Sequence, residues 1–132
     1  ALGAEGVQIG TLFALSAESS ASEAFKQRCL ALDEGGTMLC LKKLSPTRLV
    51  RNGLFDKVAE AEARGANAEE LRDILGKAAS KRGIFEGDTE QGELEIGQIA
   101  SSVDAIRPAG DIVGQLVEDF RKAQKDVAAI GF

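Results

Sequence analysis

The sequence predicts a helix-rich α/β chain, and three observations carry that expectation. Val7 and Ile9 are β-branched and lie in a short apolar run between Gly6 and Gly10, the pattern of a buried strand about five residues long. Met38, Leu39 and Leu41 mark a second candidate strand at about 37–41, although these residues also suit a helix. Elsewhere apolar residues recur at helical spacing between Ser, Asn, Gly and Pro punctuation, enough for at least five helices.

The composition bounds the function. The chain has 132 residues, which suggests one domain that buries roughly two-thirds of its unfolded surface. Hydrophobic residues at 44% and charged residues at 28% exclude the disordered class. A net charge of −5 argues against nucleic acid or an anionic membrane as partner, and no run approaches the ~20 apolar residues of a membrane span. Histidine is absent, which excludes a His-based triad or acid–base pair. Cys29 and Cys40 have no Cys-x-x-Cys spacing, so a zinc site of the usual kind lacks ligands. Each is expected to be a small buried hydrophobe in a reducing cytosol rather than half of a disulfide. The chain opens at Ala1, without an initiating methionine and inside what reads as the end of a helix. It is expected to be a portion of a longer polypeptide.

The elements follow in order. The strand at about 6–10 ends in Gly10-Thr11. Gly10 lets a ligand approach the backbone, and Thr11 adds an N–H and a hydroxyl. In parallel α/β proteins ligands bind at strand carboxyl ends, so this pair can hold a phosphate; equally, Gly10 can simply turn the chain. Gln8 alternates with Val7 and Ile9 and so faces the other way. Ser20 with Glu23 has the form of a capping box, opening a helix to about Leu32 with Phe25, Cys29 and Leu32 on its buried face. Asp33-Glu34-Gly35-Gly36 stops it.

Ser45-Pro46 reads as a helix start, interrupted at Asn52-Gly53. Leu54, Phe55, Val58 and Ala61 then form an amphipathic segment reaching Gly65. Asn67 and Glu70 cap a short helix with Leu71, Ile74 and Leu75 on one face, ending at Gly76. Residues 86–95 are acidic and turn-rich, a solvated surface loop whose spacing does not match a calcium-binding hand. A helix is expected from about Ile96 to Arg107, with Ile99, Val103 and Ile106 inward and Pro108 as its stop. A last helix from about Ala109 to Ala128 carries the stripe Ile112, Val113, Leu116, Val117, Phe120 and Ala123, the pattern of core packing.

Few residues offer chemistry. Lys42, Lys43, Arg48 and Arg51 surround the expected helix start at 45–46. They form a solvated basic face or, alternatively, an anion site. Gln98 reads as a polar residue in a first helical turn. Asp56, Glu60 and Glu62 fall on exposed helix faces and need no catalytic role.

The opening stretch ALGAEGVQIGT (1–11) resembles the last helix-to-strand step of the FMN-dependent barrel enzymes. That family includes nitronate monooxygenase (2-nitropropane dioxygenase) and the flavin-dependent enoyl-acyl-carrier-protein reductase. SPTRLVRNG (45–53), IFEGDTEQGELEIGQIA (84–100) and IRPAGDIVGQLVEDF (106–120) extend the likeness over most of the chain, but over less than half of a family member. The resemblance implies that residues 1–34 are the end of a (β/α)8 barrel, its last strand and the following helix. Residues 35–97 would be a helical accessory region with a possible strand at 37–41, and 98–132 the C-terminal helices.

It further implies that Gly10 and Thr11 contact the FMN phosphate, and that Gln8 and the Gly97-Gln98 pair lie near the flavin. Leu12 stands where the family commonly has arginine, so that arginine's role is absent. The family's catalytic base is a histidine in sequence this chain lacks. No catalytic residue is assigned, and the chain alone should not catalyse the family reaction. The substrate would be an alkyl nitronate or an enoyl thioester; overall similarity favours the nitronate monooxygenases. Two other readings stand beside this one: a non-catalytic binding or structural module, and one chain of a split enzyme. A lone barrel strand leaves both edges unpaired, so either self-association or a missing N-terminal portion is expected.

Overall fold

The computed structural model describes residues 3–130. The expected helix end at Ala1 lies outside the described residues. Residues 3–10 form no strand: no described strand pairs with them, and Val7 is 84% exposed. The strand expectation therefore fails for this chain by itself, for want of neighbours. A one-turn helix α1 follows at Thr11–Ala14.

Helix α2 spans Glu23–Leu30. Its cap is Ser22, whose Oγ accepts from the Phe25 N–H at 3.2 Å, and not Ser20. Glu23 thus sits in the first turn and bonds Gln27 at 2.8 Å. Phe25, Cys29 and Leu32 are buried as the periodicity required. Lys26 is buried too, its Nζ donating to the Ala17 and Ser19 carbonyls and holding the preceding loop.

Strand β1 is Thr37–Cys40 and pairs antiparallel with β2, Thr47–Val50. The helix expected from Ser45-Pro46 is therefore a strand. The residue before proline is pushed toward extended backbone, and Thr47–Val50 gains a ladder that a helix would forfeit. Alternation then separates two cores. Val50 joins Leu15, Phe25, Cys29, Leu94 and Ile96, whereas Leu49 joins Cys40, Phe55, Val58 and Leu71. On the far side of β2, the Val50 N–H reaches the Leu94 carbonyl and the Ile96 N–H reaches the Arg48 carbonyl, at 2.9 and 3.3 Å.

Asn52 opens a helix rather than interrupting one. Helix α3 runs Gly53–Ala63, with the Asn52 Oδ1 accepting from Phe55 N–H at 2.9 Å. The Asn52 amide nitrogen donates to the Thr89 and Gly92 carbonyls, both at 2.9 Å. The acidic loop is thereby tied to the body of the protein instead of lying free in solvent; Gly92 and Leu94 are buried. Helix α4, Ala68–Leu75, has the expected Asn67 cap and ends at Gly76, whose φ of +68 suits glycine.

The segment before Gly97 is held beside β2, so no helix begins at Ile96. Only a 3-10 turn forms, Gln98–Ser102, with Ala100 and Val103 buried but Ile99 59% exposed. Helix α5, Ala109–Ala128, has the expected bounds, and the Glu18 carboxylate accepts from its Ala109 N–H at 2.8 Å. Its stripe does not pack as expected. Ile112 is buried, while Val113, Val117 and Phe120 are 50%, 42% and 66% exposed, because nothing in the described chain covers that face. Among the described residues no helix is long and apolar enough to cross a membrane.

Both cysteines are free and buried. Burial pushes the Cys29 thiol up to about 12. Burial first, then the Glu62 and Glu93 charges, raise Cys40 to about 11. In the unfolded chain a cysteine thiol has a pKa of about 8.5. The unfolded chain therefore releases these protons first, and stability is fully present below about pH 8.5 and is lost as pH rises toward the folded values. Urea midpoints should be level from about pH 7 to 8 and fall steadily between about pH 9 and 11. Replacing both cysteines by alanine should flatten that decline; an unchanged decline would assign it to other groups.

Candidate functional site

Gly10 ends the irregular segment and forms the N-cap of α1, with φ −102 and ψ −57. A Cβ there would meet no protein atom within 4 Å, so the space beside this backbone is open. The first intrahelical bond of α1 runs from the Ala14 N–H to the Gly10 carbonyl at 2.9 Å. The amides of Thr11, Leu12 and Phe13 precede it, and such first-turn donors take their partners from outside the helix. Gln8, Gly10 and Thr11 line one cleft with Ile9, Leu12 and Ile99. Gly10 and Thr11 also line an adjoining cleft with Ala14, Arg48, Glu95 and Gly97.

Three of the four candidate residues thus share one wall. Gln98 does not join them: it opens on a separate groove with Glu34, Gly35, Ser101 and Ser102, beyond Ile99. Gln8 and Gln98 are both exposed. Gly97 is the residue the sequence undervalued. It touches Thr11, and the Gly97-Gln98 pair was its signal, but the polar side chain drew the weight from the glycine.

The basic segment is largely consumed by structure. Lys43 Nζ donates to the Gly65 and Ala66 carbonyls at 2.9 and 2.6 Å, closing the end of α3. Arg48 reaches the Thr37 carbonyl and hydroxyl, each at 3.3 Å. Arg51 lies 6.0 Å over the Phe55 ring. The helix N-terminus that would have favoured an anion at 45–46 is absent: residues 45–46 are irregular and Thr47–Val50 after them is strand β2. Among the described residues no group of His, Cys, Asp and Glu side chains is placed to hold a metal ion.

What the fold and clefts define is an α/β chain with an open cleft beside the Gly10-Thr11 backbone. The chain belongs to the nitronate monooxygenase family, whose model matches residues 1–119. A nitronate monooxygenase of Neurospora crassa is 29% identical over 141 aligned positions, covering 97% of this chain and 35% of that protein. Among solved structures, FabK from Thermotoga maritima superposes with a TM-score of 0.85 at 28% identity, over 96% of this chain and 40% of that one. A single-site mutant of the same FabK gives 0.76 at 26% identity, over 96% and 37%. The chain thus spans about a third of the length of the curated relative it matches.

Proposed function

We propose that this chain is the C-terminal part of an FMN-dependent oxidoreductase of the nitronate monooxygenase type. It would contribute the last barrel strand, residues 6–10, and one side of the flavin phosphate site. The observation that carries this reading is the open backbone at Gly10-Thr11, within a chain of that family. FMN, when bound, supplies the electron-transfer chemistry. Gly10 leaves room for the phosphate, the Thr11 N–H and hydroxyl donate to it, and Gln8 on the same wall offers an amide to a polar edge of the ligand. Gln98, which opens on another groove, would lie near the flavin without sharing the phosphate wall. Two free, buried thiols suit a reducing cytoplasm.

The substrate would be an alkyl nitronate; the superposition on FabK keeps an enoyl thioester, reduced by a flavin-dependent enoyl-acyl-carrier-protein reductase, as the second reading. The remaining phosphate donors and the catalytic base would come from the rest of the enzyme. The exposed Val7 and the apolar face of α5 would then be covered by that portion, completing the barrel.

The test compares two proteins. The intact enzyme that carries this segment should purify yellow with about one FMN and oxidise an alkyl nitronate in preference to reducing an enoyl thioester. The 132-residue chain alone should purify colourless and self-associate at tens of micromolar through its uncovered faces. A colourless intact enzyme would sink the flavin reading. A yellow, monodisperse 132-residue chain would show that it needs no other portion.

A further inference from the structure

Thr11 and Gly97 meet although most of the chain separates them. A Cβ built on Gly97 would overlap the Thr11 Oγ1 and lie 3.7 Å from the Thr11 Cβ. The hydroxyl occupies the volume that any side chain at position 97 would need. Backbone freedom does not explain the glycine, because φ −69 and ψ 154 are open to every residue. Close approach does.

Neither partner can withdraw cheaply. Ile96 is bonded to β2 through the Arg48 carbonyl at 3.3 Å, and the Gly97 carbonyl accepts from the Ala100 N–H at 3.0 Å. Thr11 is held by the Leu15 N–H on its carbonyl at 3.1 Å. What remains free is the Thr11 χ1 angle, which moves between staggered wells. A methyl at position 97 would drive the hydroxyl out of its present well.

We infer that Gly97 is a positioning residue: by lacking a side chain it leaves the Thr11 hydroxyl the rotamer it occupies, beside the cleft that Gly10, Thr11 and Gly97 share, where it would serve the flavin phosphate. This rests on the phosphate assignment proposed above. It couples the Gly-Thr and Gly-Gln pairs through one contact, and it gives Gly97 a role that neither exposure nor charge would reveal.

The test is a double-mutant cycle of Thr11→Ala and Gly97→Ala in the intact enzyme, read by FMN dissociation constants and by thermal midpoints. Gly97→Ala alone should weaken FMN about tenfold and lower the midpoint by roughly 5–10 °C. In the Thr11→Ala background the added methyl has room, so Gly97→Ala should change neither quantity further. Equal penalties in both backgrounds would overturn the inference while leaving the phosphate assignment standing. If Thr11→Ala alone leaves FMN affinity unchanged, the phosphate assignment fails and the positioning role falls with it, whatever the thermal midpoints show.

Discussion

Gly10→Val is expected to abolish FMN retention in the intact enzyme while leaving its folding almost untouched. The two halves of that expectation have separate grounds. Nothing within this segment opposes a side chain at position 10: a Cβ there meets no atom of this chain within 4 Å, and a φ of −102 is ordinary for valine. The proposed ligand does not tolerate it. A phosphate bonded to backbone N–H groups lies about 3 Å from nitrogen, and a branched side chain at Gly10 would fill that space. Thr11→Ala should be milder, losing one hydroxyl contact worth about 1–2 kcal/mol but keeping its N–H. Leu71→Ala is the control: Leu71 is fully buried in the second core, so the variant should lose ~2–5 kcal/mol of stability with no specific flavin defect. FMN titrations beside thermal melts check the ordering. A Gly10→Val enzyme that binds FMN like the parent would remove the phosphate assignment.

Gly92→Ala should have the opposite signature, a collapse of folding itself. A Cβ at Gly92 would overlap the backbone of Gly83 and the Asp88 carbonyl, and none of these can rotate aside as a side chain would. Gly83 is similarly confined, its Cβ position lying 2.5 Å from the Glu93 carbonyl oxygen. The crossing is fixed from several sides: the Gly92 N–H reaches the Asp88 carbonyl at 3.0 Å, the Glu93 N–H reaches the Ala79 carbonyl at 3.0 Å, and Asn52 holds the Gly92 carbonyl at 2.9 Å. Overpacking against backbone falls in the upper range of single-residue effects, about 3–5 kcal/mol, a large share of a domain's stability. Circular dichroism of Gly92→Ala should show a loss of cooperative unfolding or a midpoint lowered by more than about 10 °C. Gly110→Ala, at a glycine of α5 with open space around it, should be neutral or better. If Gly92→Ala melts like the parent, the two chain segments do not cross so closely.

Local signals were legible where the answer is local. The Asn67 cap with Gly76 fixed α4, Pro108 fixed the start of α5, and period placed Phe25, Cys29 and Leu32 inside. Signals that depend on a partner misled. Val7 and Ile9 have strand chemistry, but no strand among the described residues pairs with them. Ser45-Pro46 has the chemistry of a helix start, yet pairing with Thr37–Cys40 decides in favour of a strand. The stripe on α5 was correctly read as a face and wrongly read as covered. For the proposed site, Gly10 and Thr11 stand out in the sequence because a glycine before a residue with two donors has a physical meaning. The Gly97-Gln98 pair was visible too, but not the contact of Gly97 with Thr11, because spatial proximity across the chain leaves no mark in sequence spacing.

The most direct test is a structure of the intact enzyme with FMN bound, read for the distance between the phosphate and the Thr11 amide. The account predicts a phosphate oxygen about 3 Å from the Thr11 nitrogen, over the open side of Gly10, with the Thr11 hydroxyl still against Gly97. A flavin bound with its phosphate elsewhere, and Gly10-Thr11 facing only protein or solvent, would contradict it.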